Sequence, residues 1–317
     1  MVKRILEVKK LKKSFGNLIA VDEISFFINE GEIVALLGPN GAGKTTTIRC
    51  LTTLSKPDSK ESVLIVDLDL YENLSVSRKL IGVCPQELNL YKDSTVEENL
   101  KLQGYLYKIN SKEVDKRVPE LLKIVELEDK SKELVKNLSG GMKRRLQIAR
   151  SLISNPKLVF LDEPTTGLSP ETRKELWEYI KSLKNKGISL LLTTHYMEEA
   201  EQLADRILIM NKGKIIVEGT ADELKEKIIG PNQVIVSCSN HMEVENRLKQ
   251  MNLSYSLNNE SEISVKNING KFSDLFKYLE GLEINELALK KPTLEDVFLE
   301  LTGSKFREVD TIKIGDA

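Results

Sequence analysis

The stretch "GPNGAGKTT", Gly38–Thr46, decides how this chain is read. It fits the spacing G-x-x-x-x-G-K-[ST] at Gly38, Gly43, Lys44 and Thr45, after the apolar run "EIVALL" and ahead of the helix-patterned "TTTIRCLTTL". At a strand-to-helix turn this composition has a physical use. The glycines let backbone N–H groups along Gly38, Asn40, Gly41, Ala42, Gly43, Lys44, Thr45 and Thr46 converge on phosphate oxygens, and the helix dipole favours the negative charge. Lys44 can reach the outer phosphates and the Thr45 hydroxyl can bind Mg2+. The competing reading is a glycine-rich turn that binds nothing.

Working outward, "ISFFINEGEIVALL" (residues 24–37) predicts two strands about a Glu-Gly turn, the second running into the glycine-rich stretch. The segment from about Thr95 to Lys136 is polar with leucines at helical spacing and predicts a helical insert. Buried-strand patterns return in "KLVFLD" and "ISLLLTT", each followed by a helix, as in parallel sheets covered on both faces. "RILIMNKGKIIVEGT" predicts a hairpin about Asn211-Lys212-Gly213. After Gly230-Pro231 the texture changes. "QVIVSC", "EISVKN" and "INELALK" predict strands, and "HMEVENRLKQM" and "GKFSDLFKYL" predict helices between them. The closing "PTLEDVFLELTG" predicts a helix with Pro292 near its start and Gly303 near its stop.

Two further segments carry chemistry. In "LVFLDEP", Asp162 at a strand end can hold the shell of a Mg2+ ion, and Glu163 beside it can orient or deprotonate an attacking water. In "LLLTTHYMEEAE", His195 follows another buried strand on the same sheet edge, where it either contacts a phosphate or serves as a structural hydrogen-bonder. A third segment, "LSGGMKRR" (Leu138–Arg145), opens a basic helix with a Ser-Gly-Gly turn, which looks like a second anion receptor. Lys143, Arg144 and Arg145 are expected on its solvated face.

The bulk numbers bound the rest. A chain of 317 residues, 40% hydrophobic and 30% charged, accommodates one large domain and a small one. The net charge of -1 supplies no overall basic field for nucleic acid or an anionic membrane, and no nucleic-acid partner is expected. Cys50, Cys84 and Cys238 show no metal-ligand or paired spacing and fit a reduced cytosol. "MVKRILEVKK" reads as a strand and not as a signal peptide, and the longest apolar runs fall far short of the ~20 residues that span a bilayer.

Taken in order, these segments resemble an ATP-binding cassette (ABC) ATPase. The resemblance makes Gly38 to Thr45 the P-loop, Gln86 in "CPQE" the Q-loop residue and "LSGGM" the signature. It makes "FLDEP" the Walker B strand and His195 the switch histidine. It implies ATP as substrate and Mg2+ held near Thr45, Gln86 and Asp162. Lys44, Gln86, Glu163 and His195 would then act on the reaction, and Phe15 would stack on adenine. Ser139, Gly140 and Gly141 would bind the γ phosphate of the ATP on another subunit's P-loop, so a homodimer is implied. The C-terminal "PTLEDVFLELTG" resembles the daunorubicin-resistance-type subunits of type-2 ABC exporters. That implies a separate integral membrane permease as partner and a peripheral location on the cytoplasmic face of the cell membrane. Two departures stand out. Ser169 in "GLSP" replaces the usual Asp that helps connect the two active sites, and Lys60 and Val66 stand where relatives usually carry glycines.

The expected fold class is therefore α/β, a P-loop ABC ATPase domain with a mostly parallel sheet, an antiparallel β part and a helical insert. Its span is 1–225, with the helical part at about 87–150. A small α+β domain at 226–303 and a tail at 304–317 follow. The expected function is ATP binding and hydrolysis coupled to export through the permease. The alternative is a soluble ABC ATPase that remodels a cytosolic complex.

Overall fold

The computed structural model describes residues 3–230, 233–259, 262–266 and 272–303. The expected tail at 304–317 lies outside the described residues. Contacts divide the chain between Glu218 and Gly219, so the boundary expected near 225 falls within a helix of the second unit.

In the first unit the elements run β1 (Arg4–Phe15), β2 (Leu18–Asn29), β3 (Ile33–Leu37), α1 (Lys44–Leu51), β4 (Ser62–Ile65), β5 (Leu68–Asp69), α2 (Leu74–Leu80) and β6 (Ile81–Cys84). Then come α3 (Val96–Leu106), α4 (Ser111–Ile124), α5 (Gly140–Ser151), β7 (Leu158–Asp162), α6 (Pro170–Asn185), β8 (Ser189–Thr194), α7 (Met197–Leu203), β9 (Arg206–Asn211) and β10 (Lys214–Gly219). Every residue of β3, β7 and β8 is buried, which is why these strands read as continuous apolar runs and not as alternation. They form the middle of a sheet ordered β10-β9-β3-β8-β7-β6, in which β9, β3, β8, β7 and β6 run parallel.

Parallel strands end on one edge, and that edge is where Gly38, Gln86, Asp162 and His195 emerge, each just beyond or at the end of its strand. A second, antiparallel sheet is ordered β2-β1-β4-β5. One core cluster joins the two sheets through α1. It runs from Leu6, Val8 and Ile28 through Ile48 and Leu51 to Leu36, Phe160 and Leu208.

The predicted hairpin is present, and its turn also serves the glycine-rich loop. Lys212 and Gly213 both have positive φ, 46° and 80°, the pattern of a two-residue hairpin turn. The Gly213 N–H donates to Ala42 O at 2.9 Å, and Asp22 N–H donates to Gly213 O at 2.8 Å. The helical insert is held by caps and close packing. Thr95 and Glu98 form a reciprocal capping box at the start of α3, and an added Cβ at Gly104 would lie 2.7 Å from Val114 Cγ2, so glycine lets α3 approach α4.

Val66 and Asp67 adopt φ of 48° and 64°, left-handed backbone that disfavours a β-branched residue. The turn between β4 and β5 thus keeps a glycine-like conformation while carrying Val66, which packs against the core cluster. Lys60 pairs with Asp69 at 3.0 Å, a contact glycine could not make.

The second unit begins with α8 (Ala221–Ile228), then β11 (Gln233–Cys238), α9 (His241–Gln250), β12 (Ser254–Asn259), β13 (Glu262–Lys266), α10 (Phe272–Leu279), β14 (Ile284–Lys290) and α11 (Leu294–Thr302). Its strands form an antiparallel sheet ordered β12-β13-β11-β14. Val234, Val236, Ile263 and Val265 meet Val244, Leu248, Leu275 and Leu279 of the helices in a separate core. Thr293 and Asp296 cap α11, and Gly303 ends it at φ 65°.

Candidate active site

The glycine-rich loop is shaped by contacts that exclude side chains. A Cβ on Gly38 would lie 2.3 Å from Met210 O, and one on Gly43 would lie 2.2 Å from Ala20 O with φ already at 108°. Gly41 is exposed at φ 80° beside exposed Asn40, while Ala42 is buried. No side chain caps α1 at Gly43, and its first turn has no acidic residue. An uncapped helix end presents N–H groups and positive partial charge, which fits an anion.

Lys44 is buried at this end. Its Nζ donates to Gly38 O at 2.8 Å and Pro39 O at 3.1 Å and stands 3.6 Å from Glu163 Oε1. Burial lowers its pKa, against the opposing pull of Glu163 and Asp162.

Around Lys44 the predicted residues converge. Asp162 Oδ1 accepts from Thr193 Oγ1 at 2.5 Å and from Thr45 Oγ1 at 3.3 Å. Glu163 Oε2 accepts from Gln86 Nε2 and from Thr166 Oγ1, both at 3.1 Å. His195 Nδ1 stands 3.3 Å from the same oxygen without hydrogen-bond geometry, so this buried nitrogen has no hydrogen-bond partner among the described residues. The adjacent carboxyls are pushed apart in acidity. Burial, then the charge of Glu163, raises Asp162. Burial would raise Glu163 too, but His195, Lys44 and Thr166 together outweigh it and hold this carboxyl below its usual value.

Glu163 also has left-handed backbone, φ 46°, and its N–H is fixed by Thr193 O at 3.1 Å and Thr193 Oγ1 at 3.0 Å. A strained residue of this kind persists only where its surroundings hold it. Thr193 and Thr166 were not singled out in the sequence. The threonines on either side of the two strand ends were the available signal.

The signature segment stands apart from this network. Ser139 is exposed and caps α5, its Oγ accepting from Met142 N–H at 3.2 Å. A Cβ on Gly141 would meet Thr172 Cγ2 at 2.4 Å, and exposed Gly140 packs toward Leu168. Phe15, 52% exposed, has Lys13 Nζ 5.4 Å from its ring centroid. Among the described residues, no hydrogen bond joins Phe15 or Ser139 to the cluster about Glu163. Ser169 caps α6, with its hydroxyl 3.0 Å from Thr172 Oγ1, so a cap occupies the position where an Asp was expected.

The expectation that Lys143, Arg144 and Arg145 share a solvated face is corrected. Lys143 donates to Lys136 O at 3.2 Å and Arg145 pairs with Glu126 at 3.0 Å near the surface, but Arg144 is only 4% exposed. Its guanidinium bonds to backbone carbonyls of the segments that carry Gln86 and Glu163. The cause is helical spacing: Gln147 and Ile148, three and four residues on, are buried too, which puts Arg144 on the inner face.

A glycine loop with a buried lysine at a helix end, facing two carboxylates at a neighbouring strand end, defines a P-loop ATPase. The sequence profile of the ABC transporter family matches residues 21–166, and that of the ATP-binding protein DrrA1-3-like C-terminal domain matches residues 219–302. The Nod factor export ATP-binding protein I of Cupriavidus pinatubonensis is 37% identical over 304 residues, covering 96% of this chain and 92% of the relative. The daunorubicin resistance ATP-binding protein DrrA3 of Streptomyces coeruleorubidus is 36% identical over 320 residues, covering 97% and 98%.

Among solved structures, an ATP binding subunit of an ABC transporter matches with TM-score 0.62 at 32% identity, over 70% of this chain and 92% of that one. The dimeric post-hydrolysis state of the ATP-binding cassette MJ0796, bound to ADP and Pi, matches with TM-score 0.58 at 30% identity, over 68% and 98%. The chain belongs to the ABC transporter family, as one of its ATP-binding, ATP-hydrolysing subunits.

Proposed function

We propose that this subunit powers export through a separate membrane permease. It would work as a dimer in which each ATP lies between the P-loop of one chain and Ser139, Gly140 and Gly141 of the other. The observation that carries the reading is the convergence of Lys44, Thr45, Gln86, Asp162, Glu163 and His195 at one end of the parallel sheet. The names of the relatives, Nod factor export and daunorubicin resistance, support export as the direction.

In this reading Lys44 and the first turn of α1 bind the phosphates. Glu163, kept ionised, accepts a proton from the attacking water; Gln86 and His195 orient that water and the outer phosphate; and Phe15 supports the adenine. Thr45 and Asp162 present a hydroxyl and a carboxylate oxygen suited to Mg2+, with Gln86 within reach of Glu163 beside them. Bound there, the ion would neutralise phosphate charge. The described residues hold no cluster of three or more His, Cys, Asp or Glu suited to a metal. Mg2+ at NTPase sites commonly takes one or two carboxylates and completes its shell with phosphate oxygens and water.

The permease would dock on the helical insert and the groove beside it. That groove, about 780 Å³, is lined by Leu54, Arg78, Pro85, Gln103, Leu106 and Arg150. Leu54 and Leu106 expose 74% and 62% of their surface, and Pro85 adjoins Gln86, so an occupant would sit next to a residue of the catalytic cluster. No helix among the described residues is long and apolar enough to cross a membrane. The proposed location is peripheral, on the cytoplasmic face. Affinity purification of the tagged chain from native membranes should recover a multispan membrane protein in stoichiometric amount. Recovery of the chain with only soluble partners, and no membrane protein, would refute the transport role.

A further inference from the structure

Arg144 makes six hydrogen bonds. Nε donates to Pro164 O at 2.7 Å, and Nη2 donates to Asp162 O at 3.0 Å and Glu163 O at 2.8 Å. Nη1 donates to Pro85 O at 2.7 Å, Gln86 O at 3.1 Å and Gln147 Oε1 at 2.9 Å. A guanidinium has five N–H groups in a fixed fork, so the donor set is fully used. The acceptors are five backbone carbonyls and one side-chain amide oxygen, so this buried cation is held by dipoles and not by a carboxylate. Gln147, one helical turn on, reinforces the same attachment by donating to Pro85 O at 3.3 Å and Glu87 O at 2.6 Å.

The two segments that Arg144 grips are those that carry Glu163 and Gln86. Glu163 has the left-handed backbone, and its peptide neighbours are held on both sides, the N–H by Thr193 and the carbonyl by Arg144. Arg144 itself sits on α5, the helix that Ser139 caps. The geometry points to Arg144 as a positioning residue for ATP hydrolysis: it fixes Glu163 in its strained conformation and Gln86 against it, and fastens both to the helix that begins with the signature. Contact of Ser139 with a nucleotide on the partner is thereby transmitted through one rigid element to the acid and amide of this chain's own site. The proposal rests on Glu163 being the base.

The test uses the full-length protein and a double-mutant cycle. Arg144→Lys retains charge but has three donors instead of five, and Arg144→Met has none. Each should lower kcat by about 10- to 100-fold, the scale on which small misplacements of catalytic groups act. Equilibrium affinity for ATP, set by the P-loop, should change by less than about threefold, with Lys retaining more activity than Met. In a Glu163→Gln background the same substitutions should cost less than about threefold in the residual rate, because the group they aim is already gone.

Equal losses in both backgrounds, a matching loss of ATP affinity, or variants that do not fold would make Arg144 a general structural residue and overturn the proposal. Normal turnover by Glu163→Gln alone would instead remove the base assignment, and the proposal with it. The single variant and the cycle therefore tell the two failures apart.

Discussion

Glu163→Gln is expected to slow ATP turnover by about 10²-fold or more, the scale of losing a general base and equivalent to roughly 2.7 kcal/mol of barrier. The substitution is nearly isosteric, and an amide oxygen at Oε2 can still accept from Gln86 and Thr166. What disappears is the proton acceptor that His195, Lys44 and Thr166 keep ionised despite burial. Lys44, Thr45 and the uncapped end of α1 are untouched, so ATP binding survives. Binding without hydrolysis should then accumulate an ATP-held dimer, visible by size-exclusion chromatography. A Glu163→Gln chain that remains monomeric in ATP and hydrolyses at the normal rate would remove Glu163 from the reaction.

Lys44→Ala is expected to act one step earlier, on binding itself. Lys44 is the cation at the mouth of α1, and it faces both Glu163, at 3.6 Å, and Asp162. Without it, two carboxyl groups would confront the phosphates uncompensated. Charge-assisted contacts to phosphate contribute about 1.5–3 kcal/mol each, and the lost screening adds to that, so affinity should fall by about 10²-fold or more. Titration with ATP measures this directly. Affinity and turnover both at the unsubstituted level would refute the assignment of the phosphate cradle.

The legible parts of the sequence were those whose physics is local. Gly38 and Gly43 stand where a Cβ would strike Met210 O or Ala20 O, and a fixed spacing of glycines before Lys44 advertises that crowding. β3, β7 and β8 are buried on both faces and appear as unbroken apolar runs, which located Asp162, Glu163 and His195 at strand ends. Their meeting with Gln86 follows from parallel strands ending on one edge.

What escaped depended on distant partners. Arg144 resembles any basic helix residue until Pro85, Gln86, Asp162, Glu163 and Pro164 turn their carbonyls toward it. β12, "SYSLNN", is mostly polar because it is an edge strand that, among the described residues, pairs with β13 alone, leaving only Tyr255 and Leu257 as a faint alternation. The left-handed backbone of Glu163 has no sequence signal, since glutamate rarely adopts it and only its environment holds it there.

The central claim is that each ATP is closed by Ser139 of a second chain, and subunit mixing tests it most directly. Lys44→Ala and Ser139→Arg chains should each be inactive alone. In a mixed dimer one composite site receives both lesions, while the other joins an intact P-loop to an intact signature. Mixing, with cross-linking to verify that mixed dimers form, should restore ATPase activity toward the fraction that one sound site supplies. No recovery in verified mixed dimers, together with turnover that does not vary with protein concentration in a proven monomer, would show that each chain closes its own site and would contradict the account.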